Sequence, residues 1–222
     1  MTGPAFAKGL RPGLYAITDG TLLPERSLLP AVEAALRGGA VLVQYREKRL
    51  PFEARLRQAE ALNQCCRAFD VPLIINDDPH LALACDAAGV HLGQQDVALD
   101  KARAVLGPGA IIGATCHGQL ALAERAAGHG ADYLAFGRFF ESGTKPDAPP
   151  ADINLLSQAA GFGLPRTAIG GVTPGNGESL VRAGADLLAV CGGLFRGSPE
   201  QIEQNARAFT RLFAEHHPFF NL

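Results

Sequence analysis

The chain has 222 residues, 47% of them apolar and 19% charged, with 20 basic residues against 22 acidic. That composition can bury a sizeable core and excludes a disordered chain, and the length suits one α/β unit. Near-balanced charge leaves no field of one sign to hold nucleic acid nonspecifically, which ranks that partner low.

The N-terminal stretch to Arg11 carries Pro4, Gly9 and basic residues but no apolar leader, and no long apolar run follows. The expectation is a cytoplasmic protein with no membrane segment. Five cysteines, with Cys65 and Cys66 adjacent and none spaced C-x-x-C, predict reduced thiols rather than a disulfide framework or a zinc site.

Along the chain, one pattern recurs. A short apolar run is followed by a polar or Gly-rich turn and then by an amphipathic stretch. The runs at 14–18, 41–45, 72–76, 89–91, 111–115, 133–136, 167–169 and 187–190 read as strands. Helices are predicted at 28–37, 52–69, 99–106, 120–128, 153–160, 177–183 and 202–214. Strands this short and this continuously apolar are parallel strands covered on both faces. Three near-copies of a Gly stop, at Gly38-Gly39-Ala40, Gly130-Ala131-Asp132 and Gly184-Ala185-Asp186, punctuate helix ends just before strands. Eight such units predict a (βα)8 TIM barrel, a single domain over residues 1–222 with its core at 13–214. A doubly wound dinucleotide-binding sheet is the competitor, but no G-x-G-x-x-G loop follows the first strand.

In such a barrel, chemistry sits at the C-terminal strand ends. The second strand ends Gln44-Tyr45-Arg46-Glu47-Lys48. Gln44, Arg46 and Lys48 are two apart, so in extended chain they share one face, and two cations with an amide suit a phosphate clamp. A solvated strand end with Arg46 paired to a neighbour is the plainer alternative. After the third strand, Asp78-Pro79 reads as a helix cap followed by proline at the first helical position. That leaves Asn76 and Asp77 without a capping role. Asp96, on the loop after the fourth strand, stands next door. Two carboxylates beside a cation clamp match Mg²⁺, which takes one or two protein carboxylates plus substrate phosphates; either Asp could instead cap a helix. His91 reads more readily as a hydrogen-bonded core residue than as a ligand. Thr115 can offer a hydroxyl into the mouth. His117 is an acid/base candidate or, preferred here, the start of the next helix.

The sixth strand leads into a Gly-hinged loop carrying Ser142, Gly143, Thr144 and Lys145, of the kind that orders over substrates. Gly170-Gly171 and Gly192-Gly193, the latter after Cys191, follow strands seven and eight, where barrels often bind phosphate at a short extra helix. The residues thus predict two anion sites. One has cations and a metal and suits a diphosphate; the other has backbone amides and suits a monophosphate. The tail His216-His217-Pro218-Phe219-Phe220 reads as a frayed end.

The motifs 14–19 (LYAITD), 43–48 (VQYREK), 76–78 (NDD), 91–96 (HLGQQD), 144–146 (TKP) and 168–171 (AIGG), in that order, resemble the thiamine-phosphate synthase family. The resemblance spans most of the chain and implies a (βα)8 barrel. It implies an enzyme that joins 4-amino-2-methyl-5-(diphosphooxymethyl)pyrimidine to a thiazole phosphate, giving thiamine phosphate and pyrophosphate. It implies that Gln44, Arg46, Lys48, Asn76, Thr115 and Lys145 hold the pyrimidine diphosphate, with Arg46, Lys48 and Lys145 stabilising the leaving group. Asp77 and Asp96 become the Mg²⁺ ligands, and Ser142, Gly143, Thr144, Gly171, Cys191 and Gly192 the thiazole-phosphate site. The family reaction is dissociative and needs no protein nucleophile. Three positions depart from the common pattern: Asp78 stands where many members have Arg, Ser142 where many have Thr, and Gly192 where many have Ser. Two other readings compete, a thiazole tautomerase with His117 as acid/base and a non-catalytic sensor of phosphorylated ligands. The expected partners are small phosphorylated molecules, with no nucleic acid and no membrane; a homo-oligomer is left open.

Overall fold

A computed structural model describes residues 4–141 and 150–220. Eight parallel strands close into one barrel, each paired with the next and the last with the first. They are β1 (Gly13–Ile17), β2 (Leu42–Tyr45), β3 (Leu73–Asn76), β4 (Gly89–Leu92), β5 (Ile111–His117), β6 (Tyr133–Phe136), β7 (Arg166–Ile169) and β8 (Leu187–Val190). The helices between them are α1 (Glu25–Arg37), α2 (Phe52–Ala68), α3 (Pro79–Ala84), α4 (Leu99–Leu106), α5 (Leu120–Gly128), α6 (Asn154–Gln158) and α7 (Gly177–Arg182), and α8 (Pro199–His216) closes the chain. The predicted single-domain (βα)8 barrel is therefore observed. No helix of the described residues is long and apolar enough to cross a membrane.

Side-chain alternation sorts each strand into two cores. Tyr15, Leu42, Ile74, Ile111, Tyr133 and Leu187 fill the barrel interior. Their neighbours Leu14, Val43, Ile75, Leu134 and Leu188 face the helices. Both faces are largely covered, which is why the strands are mostly apolar; each Leu or Ile so buried contributes roughly 1.5–3 kcal/mol. Leu10, with Phe6 beside it, plugs the N-terminal face of the barrel. Lys8 fastens that plug to Asp132 at 2.7 Å.

The predicted Gly stops hold: Gly39, Gly130 and Gly184 all adopt left-handed backbone just before a strand. Several boundaries differ from the sequence reading. Helix α1 starts a turn earlier, behind Pro24, and α8 starts at Pro199, where Ser198 Oγ accepts from Gln201 N at 3.4 Å. Helix α3 carries too few residues to display a helical period. The tail is not frayed. His217 is buried, its Nε2 lies 3.2 Å from Asp186 Oδ1, and its ring packs on Phe213.

Candidate active site

The first corner of the mouth is built by the ends of β1 to β4. Thr18, just past β1, accepts from Arg46 N at 3.0 Å and fixes where the chain leaves β2. The Arg46 guanidinium reaches Asp19 at 2.7 Å. Burial pushes the Asp19 carboxyl up, but hydrogen bonds from Thr21 and the charge of Arg46 outweigh it and hold the group below its ordinary range. Arg46 is thus braced from behind. Lys48 Nζ lies 3.0 Å from Asp77 Oδ2, which ties the β2 loop to the end of β3.

Asp77 has a left-handed backbone, φ 65°, a region that Asp tolerates better than most residues, and its N–H donates to His91 O at 2.9 Å. This turn lifts its side chain toward Asp96. The two carboxyls lie close enough for the charge of one to act on the other. Burial raises both, but Lys48 holds Asp77 low. Asp96 is pushed up by burial and by the charge of Asp77, against a bond from Gly93 N at 2.6 Å. Two neighbouring carboxyl groups with a single ammonium alongside are a donor set suited to a cation. It fits a divalent ion that completes its shell with water and substrate oxygens, since no cluster of three His, Cys, Asp or Glu occurs among the described residues. Neither Asp is a helix cap: α4 begins behind Ala98, and α3 is capped by Asp78, whose Oδ1 accepts from Leu81 N at 2.9 Å. Asp78 is further engaged by Arg55 at 3.1 Å, so its departure from the family pattern does not leave an unpaired negative charge.

The interior wall below this corner is polar. Gln44 is buried and its Nε2 donates to Tyr15 Oη at 2.6 Å. Asn76 ends β3, next to Asp77. Thr115 Oγ1 lies 2.9 Å from His91 Nε2, and His91 Nδ1 lies 2.9 Å from Tyr133 Oη. His91 is half-buried and hydrogen-bonded through both ring nitrogens. His117 is not the start of a helix. It is the last residue of β5, exposed, with left-handed φ 48°, and its carbonyl accepts from Gly137 N at 3.1 Å. The register shift between Thr115 and His117 carries the strand on past the predicted end.

The second corner lies across the mouth, after β7 and β8. A side chain on Gly171 would meet Glu141 O at 2.3 Å, so glycine is what lets the β6 and β7 loops close on each other. Gly193 is held likewise against Val172 O. The expected short extra helix is absent; after β8 there is one turn in which Leu194 N and Phe195 N donate to Cys191 O. The N–H groups of Gly171, Gly192 and Gly193 donate to no protein acceptor among the described residues. Backbone amides without a protein acceptor are the groups from which anion-binding turns are built. A Cβ on Gly192 would lie 3.8 Å from the Arg196 guanidinium, a cation the sequence reading passed over. Burial pushes the Cys191 thiol up to about 11. Ser142, Gly143, Thr144 and Lys145 lie outside the described residues.

Residues 14–194 match the family model for thiamine monophosphate synthase. The chain is 61% identical over 213 residues to the thiamine-phosphate synthase of Marinobacter nauticus, covering 96% of each chain. It is 52% identical to the thiamine-phosphate synthase of Alcanivorax borkumensis, covering 90% of this chain and 94% of that one. The chain belongs to the thiamine monophosphate synthase family.

Among solved structures, thiamine phosphate pyrophosphorylase from Pyrococcus furiosus superposes with a TM-score of 0.82 at 31% identity, covering 91% of this chain and 96% of that one. Within this synthase-family chain the mouth brings Gln44, Arg46, Lys48, Asn76, Asp77, Asp96 and Thr115 to neighbouring strand ends on one side. Gly171, Cys191 and Gly192 lie on the other. What the sequence reading did not find are the partners: Asp19 behind Arg46, and the two tyrosines that join Gln44 to His91. Asp19 had a visible signal, an acidic residue at the end of the strand beside β2. The tyrosines had none, because their contact spans 118 positions of sequence.

Proposed function

We propose that this protein joins 4-amino-2-methyl-5-(diphosphooxymethyl)pyrimidine to thiazole phosphate, releasing pyrophosphate and forming thiamine phosphate, as a Mg²⁺-dependent cytoplasmic enzyme. What supports the reading is that one mouth has cations and carboxyls at the ends of β2 to β4 and glycine-rich turns after β7 and β8. The cation-and-carboxylate corner suits a diphosphate that must leave; the amide corner suits a monophosphate that must only be held. All five cysteines are free, in keeping with a reducing compartment.

On this reading the bond between the pyrimidine methylene and the diphosphate oxygen breaks first, and the oxygen keeps the electron pair. The aminopyrimidine ring stabilises the resulting cation, and the thiazole nitrogen then supplies the pair for the new carbon–nitrogen bond. No side chain serves as nucleophile. Arg46 and Lys48 stabilise charge developing on the departing pyrophosphate, with Lys145 expected to join them. Asp77 and Asp96 would hold Mg²⁺, which when bound supplies Lewis-acid neutralisation of the same oxygens. Asp19 keeps Arg46 from collapsing onto other acceptors. Gly171, Gly192 and Gly193 offer amides to the thiazole phosphate, and the barrel wall sets the two rings in line.

The test is to supply both substrates with Mg²⁺ and follow both products. The reading predicts thiamine phosphate and pyrophosphate in equal amounts, abolished by EDTA and restored by Mg²⁺. No product from demonstrably folded protein would reject the coupling, and product unaffected by EDTA would reject the metal.

A further inference from the structure

The loop after β1 meets the exit of β2 with three successive residues. Thr18 Oγ1 accepts from Arg46 N at 3.0 Å, and Asp19 takes the Arg46 guanidinium at 2.7 Å. Gly20 meets the side chain that comes next, Glu47. A Cβ on Gly20 would stand 1.7 Å from Glu47 Oε2 and 2.7 Å from its carboxyl carbon. The Glu47 carboxyl therefore occupies the place that a side chain at position 20 would need.

Glu47 differs from its neighbours at this strand end. Its side chain is 7% exposed, whereas that of Lys48 is 57% exposed. Covering a carboxyl is costly unless hydrogen bonds offset the lost water. Glu47 Oε1 accepts from Arg49 N at 2.6 Å, while the Arg49 guanidinium stays 3.9 Å away. That bond to the main chain two residues on closes a turn with Lys48 at its middle. Lys48 is too exposed for packing to place its ammonium, so the backbone of the turn sets where the side chain starts. From there Lys48 Nζ reaches to 3.0 Å from Asp77 Oδ2.

We propose that Glu47 is a positioning residue for the reaction: seated against Gly20 and bonded to Arg49 N, it bends the chain so that Arg46 and Lys48 are presented to one diphosphate together. The inference rests on the reading that Arg46 and Lys48 hold that group. Glu47 acts through the two cations and not on the substrate. What the turn needs is an acceptor of this reach in this place, so Gln serves there and Ala does not.

Two substitutions break the seat from opposite sides. Glu47→Ala removes the acceptor, and Gly20→Ala drives a methyl into the carboxyl's place. Calorimetric titration with inorganic pyrophosphate in the presence of Mg²⁺ reads the cation corner, and KM for thiazole phosphate in the coupling assay reads the far corner. Each alanine variant should bind pyrophosphate about tenfold more weakly, the scale of one lost charge-assisted hydrogen bond, while KM for thiazole phosphate keeps its wild-type value. The double variant should bind no more weakly than Glu47→Ala, because the added methyl then meets no carboxyl. Glu47→Gln should bind as wild type does. Equal damage to both corners would mark Glu47 as merely structural and overturn the proposal. So would losses that multiply in the double variant, or a Glu47→Gln protein as weak as Glu47→Ala. If either alanine variant does not fold, the other is set against Glu47→Gln and decides in the same way. A wild type that binds no pyrophosphate would overturn the proposal together with the functional reading; variants that match a wild type that does bind would overturn the role of Glu47 alone.

Discussion

Gly113 faces the barrel interior, where a Cβ would stand 2.0 Å from Tyr133 Cζ and 2.3 Å from its hydroxyl. The ring it would strike is fully buried and held through its hydroxyl by Tyr15 and His91, so it has nowhere to yield. Gly113→Ala must therefore either distort β5 or push the phenol off its partners. Overpacking of this kind together with a buried hydroxyl left without a partner costs about 2–5 kcal/mol. For a chain of this size that lowers the melting midpoint by about 4–20 °C. Differential scanning calorimetry of the two proteins measures it. The same displacement breaks the hydrogen bonds that join Gln44 to Thr115 through Tyr15, Tyr133 and His91, so KM for the pyrimidine diphosphate should rise as well. A Gly113→Ala protein with a wild-type midpoint and wild-type KM would refute the packing argument and the placement of Tyr133 with it.

Asp19→Asn should destabilise the protein by less than about 1 kcal/mol at neutral pH, because the pair with Arg46 is only partly shielded. The folded Asp19 carboxyl lies below its ordinary 3.8, so its contribution is present above that pH and disappears as pH falls through the folded value; urea midpoints of both proteins should converge in acid and diverge at neutrality. Thr167→Val replaces a buried hydroxyl that has no partner among the described residues with a methyl of like shape. Its urea midpoint should equal or exceed that of wild type, and a loss would mean that the hydroxyl has a partner. His217→Ala takes a donor from fully buried Asp186, which then relies on Arg166 at 2.9 Å, and should lower stability by about 2–4 kcal/mol in equilibrium unfolding.

The barrel was legible because parallel strands buried on both faces read as unbroken apolar runs, and because Gly39, Gly130 and Gly184 stop helices where left-handed backbone is needed. The Asp77–Asp96 pair and the Gln44, Arg46, Lys48 series were legible for a local reason: strand-end position and two-residue alternation place them without any tertiary knowledge. Boundaries failed where the signal was not apolar periodicity. The start of α8 is marked by Ser198-Pro199, a cap and a first-turn proline, while six residues of α3 are too few to show a period. Tyr15 and Tyr133 looked like ordinary apolar strand residues. Their meeting depends on the stagger of a closed sheet, which no stretch of sequence encodes by itself. His217 was misread because a buried acid, Asp186, recruits it from 31 positions away.

The central claim is that Asp77, not its neighbour, belongs to the chemistry at the mouth. Asp77→Asn and Asp78→Asn should be compared in the coupling assay across a Mg²⁺ titration, since Asn at 78 keeps an oxygen to cap α3. Asp78→Asn is predicted to retain activity with an unchanged Mg²⁺ requirement, while Asp77→Asn loses most of its turnover or needs far more metal. Full activity in Asp77→Asn at the wild-type Mg²⁺ requirement would contradict the account.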